Sequence, residues 1–309
     1  MDLRQLKYFT RIVELESLTA AAQSLHVAQP SLSQHVAKLE AVLGVKLLER
    51  GARGVRSTAA GQRLYEQAKA LLRQAQEVAA HVRQEAAGDV VGLVRLGLPA
   101  STSRRVAVAL LRALRQAHPG VTLEIVEGST AYIAEMVQRH LLDLGVTVQA
   151  ADAGRIDSLP LVTEELLLVG PPGSALAGPV AVEQLCTLPL LLPAFPNAIR
   201  VRIEQLCNAA GLRYQLVAES AAAPVMTAAA QAGLAWTILP WSAVEREDPA
   251  SLTCLPIAGR AFMRTLAVCT APSATGQPAC EAVKGQLAAV VSQMVAGGDW
   301  RHAEVPGRR

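Results

Sequence analysis

The side chains of this chain with chemistry to offer are short and polar, and they gather on one face of a helix. At about 100° per residue, Ser31, Gln34 and Lys38 fall opposite an apolar sector of Leu32, Val36, Leu39 and Leu43, with Gln29 and Ser33 on the flank. Hydroxyls and amides reach base edges in the DNA major groove, where a lysine also meets phosphate. Pro30 suits the opening turn, in which a missing N–H costs nothing. Ahead of it, Leu18, Ala21, Ala22 and Leu25 mark a shorter helix that Ser17 caps, joined through the corner His26-Val27-Ala28-Gln29. The pattern predicts a helix-turn-helix that reads DNA with Gln29, Pro30, Ser31, Ser33, Gln34 and Lys38. An ordinary helical hairpin with a solvated polar face is the competing reading.

The next segment favours DNA. Residues 45–58 place Lys46, Arg50, Arg53 and Arg56 around Gly51 and Gly54, which suits a basic ribbon lying along the backbone or minor groove; a solvated loop is the alternative. Residues 1–88 hold 12 Lys+Arg against 8 Asp+Glu, and the remainder 17 against 18, so the surplus positive charge lies in the first third. Phosphate contact supplies most non-specific affinity, so binding is expected to be salt-sensitive.

No catalytic constellation stands beside this one. The chain lacks GxxxxGK[ST], a GxGxxG after a strand, HExxH and GxSxG, and its six histidines are dispersed. Cys186, Cys207, Cys254, Cys269 and Cys280 show no CxxC spacing, which predicts reduced thiols and no metal site. The first residues, with Asp2, Arg4 and Lys7, lack the apolar core of a signal peptide, and a cytoplasmic protein is expected. The uncharged run 220–244 carries Pro224 and Pro240 and reads as a buried helix and strand, not a membrane span.

The elements that position these residues follow from periodicity. Leu6, Phe9 and Val13 give a first helix over 3–15. Thr58 caps a long helix running to Gly88, whose apolar positions Leu64, Ala68, Leu71, Ala75, Val78 and Val82 are spaced 4, 3, 4, 3, 4. That is a coiled-coil seam and implies a partner helix, with Leu64, Leu71, Val78 and Val82 as the dimerising residues; a helix lying on its own core is the alternative. Two joined copies would present two recognition helices to a two-fold site. Gly88 and Gly92 bracket an expected hinge. Beyond it, strands alternate with helices up to a helix near 279–296, predicting parallel sheets flanked by helices. The last 15 or so residues read as frayed. Ligands sit where strand ends feed helix starts, and three such places are polar: Ser101, Thr102 and Ser103; Gly128, Ser129 and Thr130; and Phe195, Pro196 and Asn197. Simple helix capping is the alternative for each.

These motifs resemble the LysR-type transcriptional regulator family along essentially the whole chain. The likeness is carried by LRQLKYF at 3–9, LTAAAQSLHVAQPSLSQHVAKLEAVLGVKLLER at 18–50, STAAG at 57–61, HPGVTLEIVEG at 118–128, DLGV at 143–146 and AGLAWTILP at 232–240. It implies an α plus α/β chain: a winged helix-turn-helix over 1–58, a dimerising linker helix over 59–88, and an α/β effector domain over 89–309. That last domain would hold two subdomains like those of periplasmic binding proteins, the first about 91–161 and 266–296, the second about 162–265. The likeness also implies a tetramer that bends promoter DNA in response to a small inducer bound between the subdomains, with no cofactor. Ser101, Thr102, Ser129, Thr130, Phe195 and Asn197 are the expected effector contacts. A carboxylate inducer and RNA polymerase are candidate partners. Three positions depart from the family pattern. Ala28 stands where many relatives have a capping Ser or Thr, Leu48 replaces a common Phe, and Val148 lies where some relatives that bind aromatic acids place a basic residue, for which Arg200 at the neighbouring helix start is the candidate substitute. A solute-binding receptor and an enzyme with an N-terminal interaction domain are the other classes; the basic module and the missing nucleophile–base pair weigh against them.

Overall fold

The computed structural model describes residues 1–51, 54–84, 90–148, 158–245, 247–248, 250–259 and 262–307, with only the backbone of residues 50, 73–74, 76–77 and 79–84. The first part comprises α1 (Leu3–Leu15), α2 (Leu18–Ser24), α3 (Gln29–Leu43), β1 (Leu48–Gly51) and β2 (Gly54–Ser57). The first helix opens on a capping box: Gln5 N–H donates to Asp2 at 2.7 Å while the Gln5 side chain accepts from the Asp2 N–H at 3.0 Å. Ser17 caps α2. By contrast α3 starts on Ala28 with no side-chain cap, a loss of about 1 kcal/mol relative to Ser or Thr there. Phe9, Ile12, Leu18, Ala21, Leu32, Val36 and Leu39 pack with Leu47, Leu48 and Val55 into one core. Leu43, expected on the buried sector, is 38% exposed, because the helix ends there and Gly44 (φ 68°) turns the chain away.

α4 (Ala59–Gln84) has 26 residues, about 39 Å at 1.5 Å each. Leu64 and Tyr65 near its start pack onto the N-terminal core, and Ala68 is buried. Leu71 and Val78 are exposed, while the Val82 side chain and Gly88 lie outside the described residues. An ion pair of 2.6 Å, Arg139 to Glu66, ties the helix to the following domain.

That domain runs β3 (Val91–Leu98), α5 (Ala100–Ala117), β4 (Gly120–Glu127), α6 (Thr130–Gln138), β5 (Leu144–Val148), β6 (Ser158–Gly170), α7 (Val182–Cys186), β7 (Pro189–Leu192), α8 (Ala198–Ala209), β8 (Gln215–Glu219), α9 (Ala223–Gln231), β9 (Thr237–Pro240), α10 (Trp241–Val244), β10 (Thr253–Pro256), β11 (Met263–Thr270), α11 (Pro278–Ala296) and β12 (Ala303–Glu304). One apolar core joins β3, β5 and β11 to α5, α6 and α11; two more lie on the faces of β6 and β9, under α7 and α8 on one and α9 on the other.

Three expectations are corrected. The sheets are mixed: β3 is parallel to β4 and β5, and β7 to β8, but β6 is antiparallel to β9, β10, β11 and β12. The cause is one 13-residue strand serving two sheets. Residues 158–165 of β6 pair with β11 and residues 166–170 with β9 and β10, and alternation alone does not reveal such a shared strand. The expected hinge does not reach Gly92, which lies inside β3 opposite Val121. Residues 297–307 after the last helix are not frayed, for Trp300 is 1% exposed and Ala303–Glu304 adds a strand to β6.

Candidate functional site

Helix α3 presents two faces. Leu32, Val36 and Leu39 are buried, whereas Gln29, Pro30, Ser31, Gln34 and Lys38 are exposed and Ser33 is half-buried. The polar row read from the sequence therefore stands outward together, on a helix that its apolar back fixes to α1 and α2. The wing is a hairpin with Glu49 opposite Arg56 and Arg50 opposite Val55. Arg56 is exposed; the Arg50 side chain and all of Arg53 lie outside the described residues.

Sequence reasoning missed the group that joins reading helix to wing. Glu40, on the last turn of α3, accepts from the N–H of Leu47 at 2.9 Å and of Leu48 at 3.3 Å, and from Lys46 Nζ at 2.7 Å. Burial pushes its carboxyl up, but the Lys46 and backbone donors outweigh that and hold the pKa below the usual value. The other end of the wing is tied to α4. Thr58 donates its hydroxyl to Lys46 O at 2.7 Å and its N–H to Leu47 O at 2.9 Å, while Thr58 Oγ1 accepts from Gly61 N. A Cβ at position 61 would lie 2.0 Å from Leu47 O, so only glycine permits this approach. That contact gives the STAAG segment its physical meaning.

The polar strand ends of the second domain form two groups. Because β3 and β4 are parallel neighbours with Leu98 opposite Glu127, α5 and α6 both start from the same edge of the sheet, and Gly128 N donates to Leu98 O at 3.3 Å. Ser101 and Thr102 thus follow the end of one strand, and Ser129 and Thr130 the end of its parallel neighbour. Thr102 is buried and its hydroxyl has no partner among the described residues; Ser101 Oγ accepts from Arg264 Nη2 at 3.4 Å. Ser129 caps α6 through Tyr132 N, as the capping alternative expects. Phe195 and Asn197 follow β7, which pairs with β8 in a separate two-stranded sheet; Asn197 caps α8 and Phe195 is exposed.

Arg200 is committed to protein partners and is no free substitute for a base at Val148. Its side chain is 8% exposed, pairs with Glu219 at 3.0 Å and lies over the rings of Phe195 and Tyr214. Burial and a hydrogen bond to Glu204 push the Tyr214 hydroxyl up to about 12. Nearby, Cys186 and Cys207 sit with their sulfurs 2.8 Å apart, and burial together with that contact pushes the Cys207 thiol up to about 12. Also missed was a buried carboxylate, Glu164, joined to Arg264, Ser242 and Trp300; a charged residue inside the apolar run LVTEELLLV was its trace in the sequence. Among the described residues no group of three His, Cys, Asp or Glu is placed to hold a metal, and no helix is long and apolar enough to cross a membrane.

Comparison with known proteins agrees with this geometry. Residues 3–62 match the model of the bacterial regulatory helix-turn-helix protein, lysR family, and residues 87–292 match the LysR substrate binding domain. The nitrogen assimilation regulatory protein nac of Escherichia coli (strain K12) is 36% identical over 250 residues, 79% of each chain. Among solved structures, a full-length OxyR from Pseudomonas aeruginosa is 26% identical with a TM-score of 0.69, covering 94% of both chains. Full-length CbnR complexed with its target DNA is 25% identical with a TM-score of 0.68, covering 94% of this chain and 100% of that one. An outward polar row on a braced helix, a wing pinned at both ends and a three-core domain behind a long helix thus meet in one chain, which belongs to the LysR family of DNA-binding transcriptional regulators with a substrate-binding domain and is not an enzyme.

Proposed function

We propose that α3 enters the major groove of promoter DNA, with Gln29, Ser31, Ser33 and Gln34 at base edges, Pro30 setting the helix entry and Lys38 on phosphate. Arg50, Arg53 and Arg56 of the wing then take the backbone or minor groove. The observation that carries this reading is the split of α3 into a buried apolar face and an exposed row of short polar side chains. CbnR, of like fold, has been solved on its target DNA. Exchanging Ser33 and Gln34 for Ala is expected to cost about 1–3 kcal/mol of specific affinity per lost base contact. A double variant that footprints its promoter as the parent does would refute the assignment of the reading face.

Self-association belongs to the same reading. Leu71, Val78 and Val82 of α4 carry the dimer seam, while Leu64 serves the chain's own core. Two dimers then form a tetramer in the cytoplasm, where promoter DNA and RNA polymerase are met. A small-molecule effector between the two halves of the second domain, held by Ser101, Thr102, Ser129, Thr130, Phe195 and Asn197, modulates promoter binding and bending. The buried Thr102 hydroxyl on the first turn of α5, without a partner among the described residues, supports a polar or anionic effector, a carboxylate being the first class to try. No cofactor or metal is required. A thermal-shift screen of small acids tests the site: stabilisation that Thr102→Val abolishes is expected, and stabilisation unchanged in that variant would contradict it.

A further inference from the structure

Glu164 is 0% exposed and sits on β6 at the point where that strand leaves one sheet for the other. Both of its oxygens are fully used. Oε1 accepts from Arg264 Nε at 2.8 Å and Nη2 at 2.5 Å; Oε2 accepts from Ser242 Oγ at 3.0 Å and Trp300 Nε1 at 3.2 Å. These four bonds come from three places. Arg264 is the cross-strand neighbour on β11, the second strand to run along this crossing, and its Nη2 also reaches Ser101 Oγ on α5. Ser242 belongs to α10, which meets α5 through Arg105–Glu245 and through Arg104 donating to Ala243 O. Trp300 belongs to the segment after α11, which is held further by His302 Nδ1 against Glu165 at 3.0 Å, by Arg301 over the Trp241 ring and by strand β12.

A carboxylate taken wholly out of water is expensive unless every lone pair finds a donor, and one lost donor leaves the rest misplaced. Such a group either holds all its partners together or releases them together. We propose that Glu164 is the positioning residue of the junction between the two halves of the domain: it holds Arg264 against Ser101 and the C-terminal segment against the crossing strands, so that ligand contact at Ser101 is relayed to both halves and to residues 300–304. The relay rests on the cleft reading above, but the coupling itself is tested without any ligand.

Hydrogen exchange by mass spectrometry on the full chain is the test, with Trp300→Phe, which keeps a ring and deletes one donor, and Glu164→Gln, which turns an acceptor into a donor facing Arg264, Ser242 and Trp300. Trp300→Phe is expected to raise exchange about tenfold in residues 100–104, 162–166, 263–266 and 300–304 together, leaving 29–43 and operator affinity as in the parent. Glu164→Gln is expected to raise it further in the same four segments. A rise confined to 300–304 would make Trp300 an end anchor only, and an even rise along the whole chain would make the network mere stability; either overturns the proposal. If Glu164→Gln does not fold, the Trp300→Phe pattern decides. A ligand screen in which nothing stabilises the chain would remove the cleft reading while leaving these exchange results standing.

Discussion

Removing Glu40 should detach the wing from the reading helix without touching any residue that faces DNA. In Glu40→Ala the N–H groups of Leu47 and Leu48 lose their acceptor, and Leu47 is buried, so water cannot replace it freely. A hydrogen bond to a charged acceptor is worth about 1.5–3 kcal/mol, and the 3.3 Å bond to Leu48 belongs at the low end. The Lys46 ammonium is 81% exposed, which limits its pairing to about 0–1 kcal/mol. The expected loss is about 3 kcal/mol of local stability, against about 1 kcal/mol for Glu40→Gln, which keeps an acceptor oxygen. Tryptophan fluorescence is blind to it, because Trp236, Trp241 and Trp300 all lie in the second domain. Native-state hydrogen exchange over residues 47–57 reads it directly. The sign with pH follows from the lowered carboxyl: stabilisation by Glu40 is complete above the ordinary value of 4.5 and is lost as pH falls through the lower folded value. The gap between parent and Glu40→Gln should therefore be flat near neutrality and close in acid. Equal protection of 47–57 in Glu40→Ala and parent would refute the reasoning.

Other outcomes are as specific. Charged residues in place of Leu71 and Val78 should yield a monomer by sedimentation, and an unaltered dimer would remove the seam. Gly61→Ala should force Leu47 O away and cost on the order of 1–3 kcal/mol, read as faster exchange in 46–62; a silent substitution would contradict the close approach. With its thiol pushed up to about 12 by burial and by Cys186, Cys207 should resist a thiol reagent at pH 8 until the chain unfolds, whereas rapid labelling of the native protein would place it elsewhere.

How much of this was legible in the sequence depended on the range of the interaction. Periodicity gave α1 to α4 and the outward row of α3, because each rests on an i, i+3, i+4 face or a local cap. Ala28 even announced its missing cap. The second domain was legible as strands and helices but not as sheets, since whether β6 pairs parallel or antiparallel is set by partners about 70 to 140 residues away. The fourfold use of Glu164 was hidden for the same reason, and so was the order after α11, whose polar, glycine-containing sequence docks through Glu164 and Glu165 as acceptors, burial of Trp300 and pairing of β12 with β6. At the polar strand ends the residue types alone could not separate capping from binding. In the structure Ser129 and Asn197 cap, whereas Thr102 is left with an unused hydroxyl.

The most direct measurement on the reading face is a pair of salt titrations of DNA affinity, on a promoter fragment selected from the genome and on an unrelated duplex, for the parent, Gln34→Ala and Lys38→Ala. Gln34→Ala should narrow the gap between the two duplexes by about 1–3 kcal/mol at every salt concentration, while Lys38→Ala weakens both alike and lowers the salt slope by about 1. If instead both variants kept the parent's preference and its slope, α3 would not be the element that touches bases.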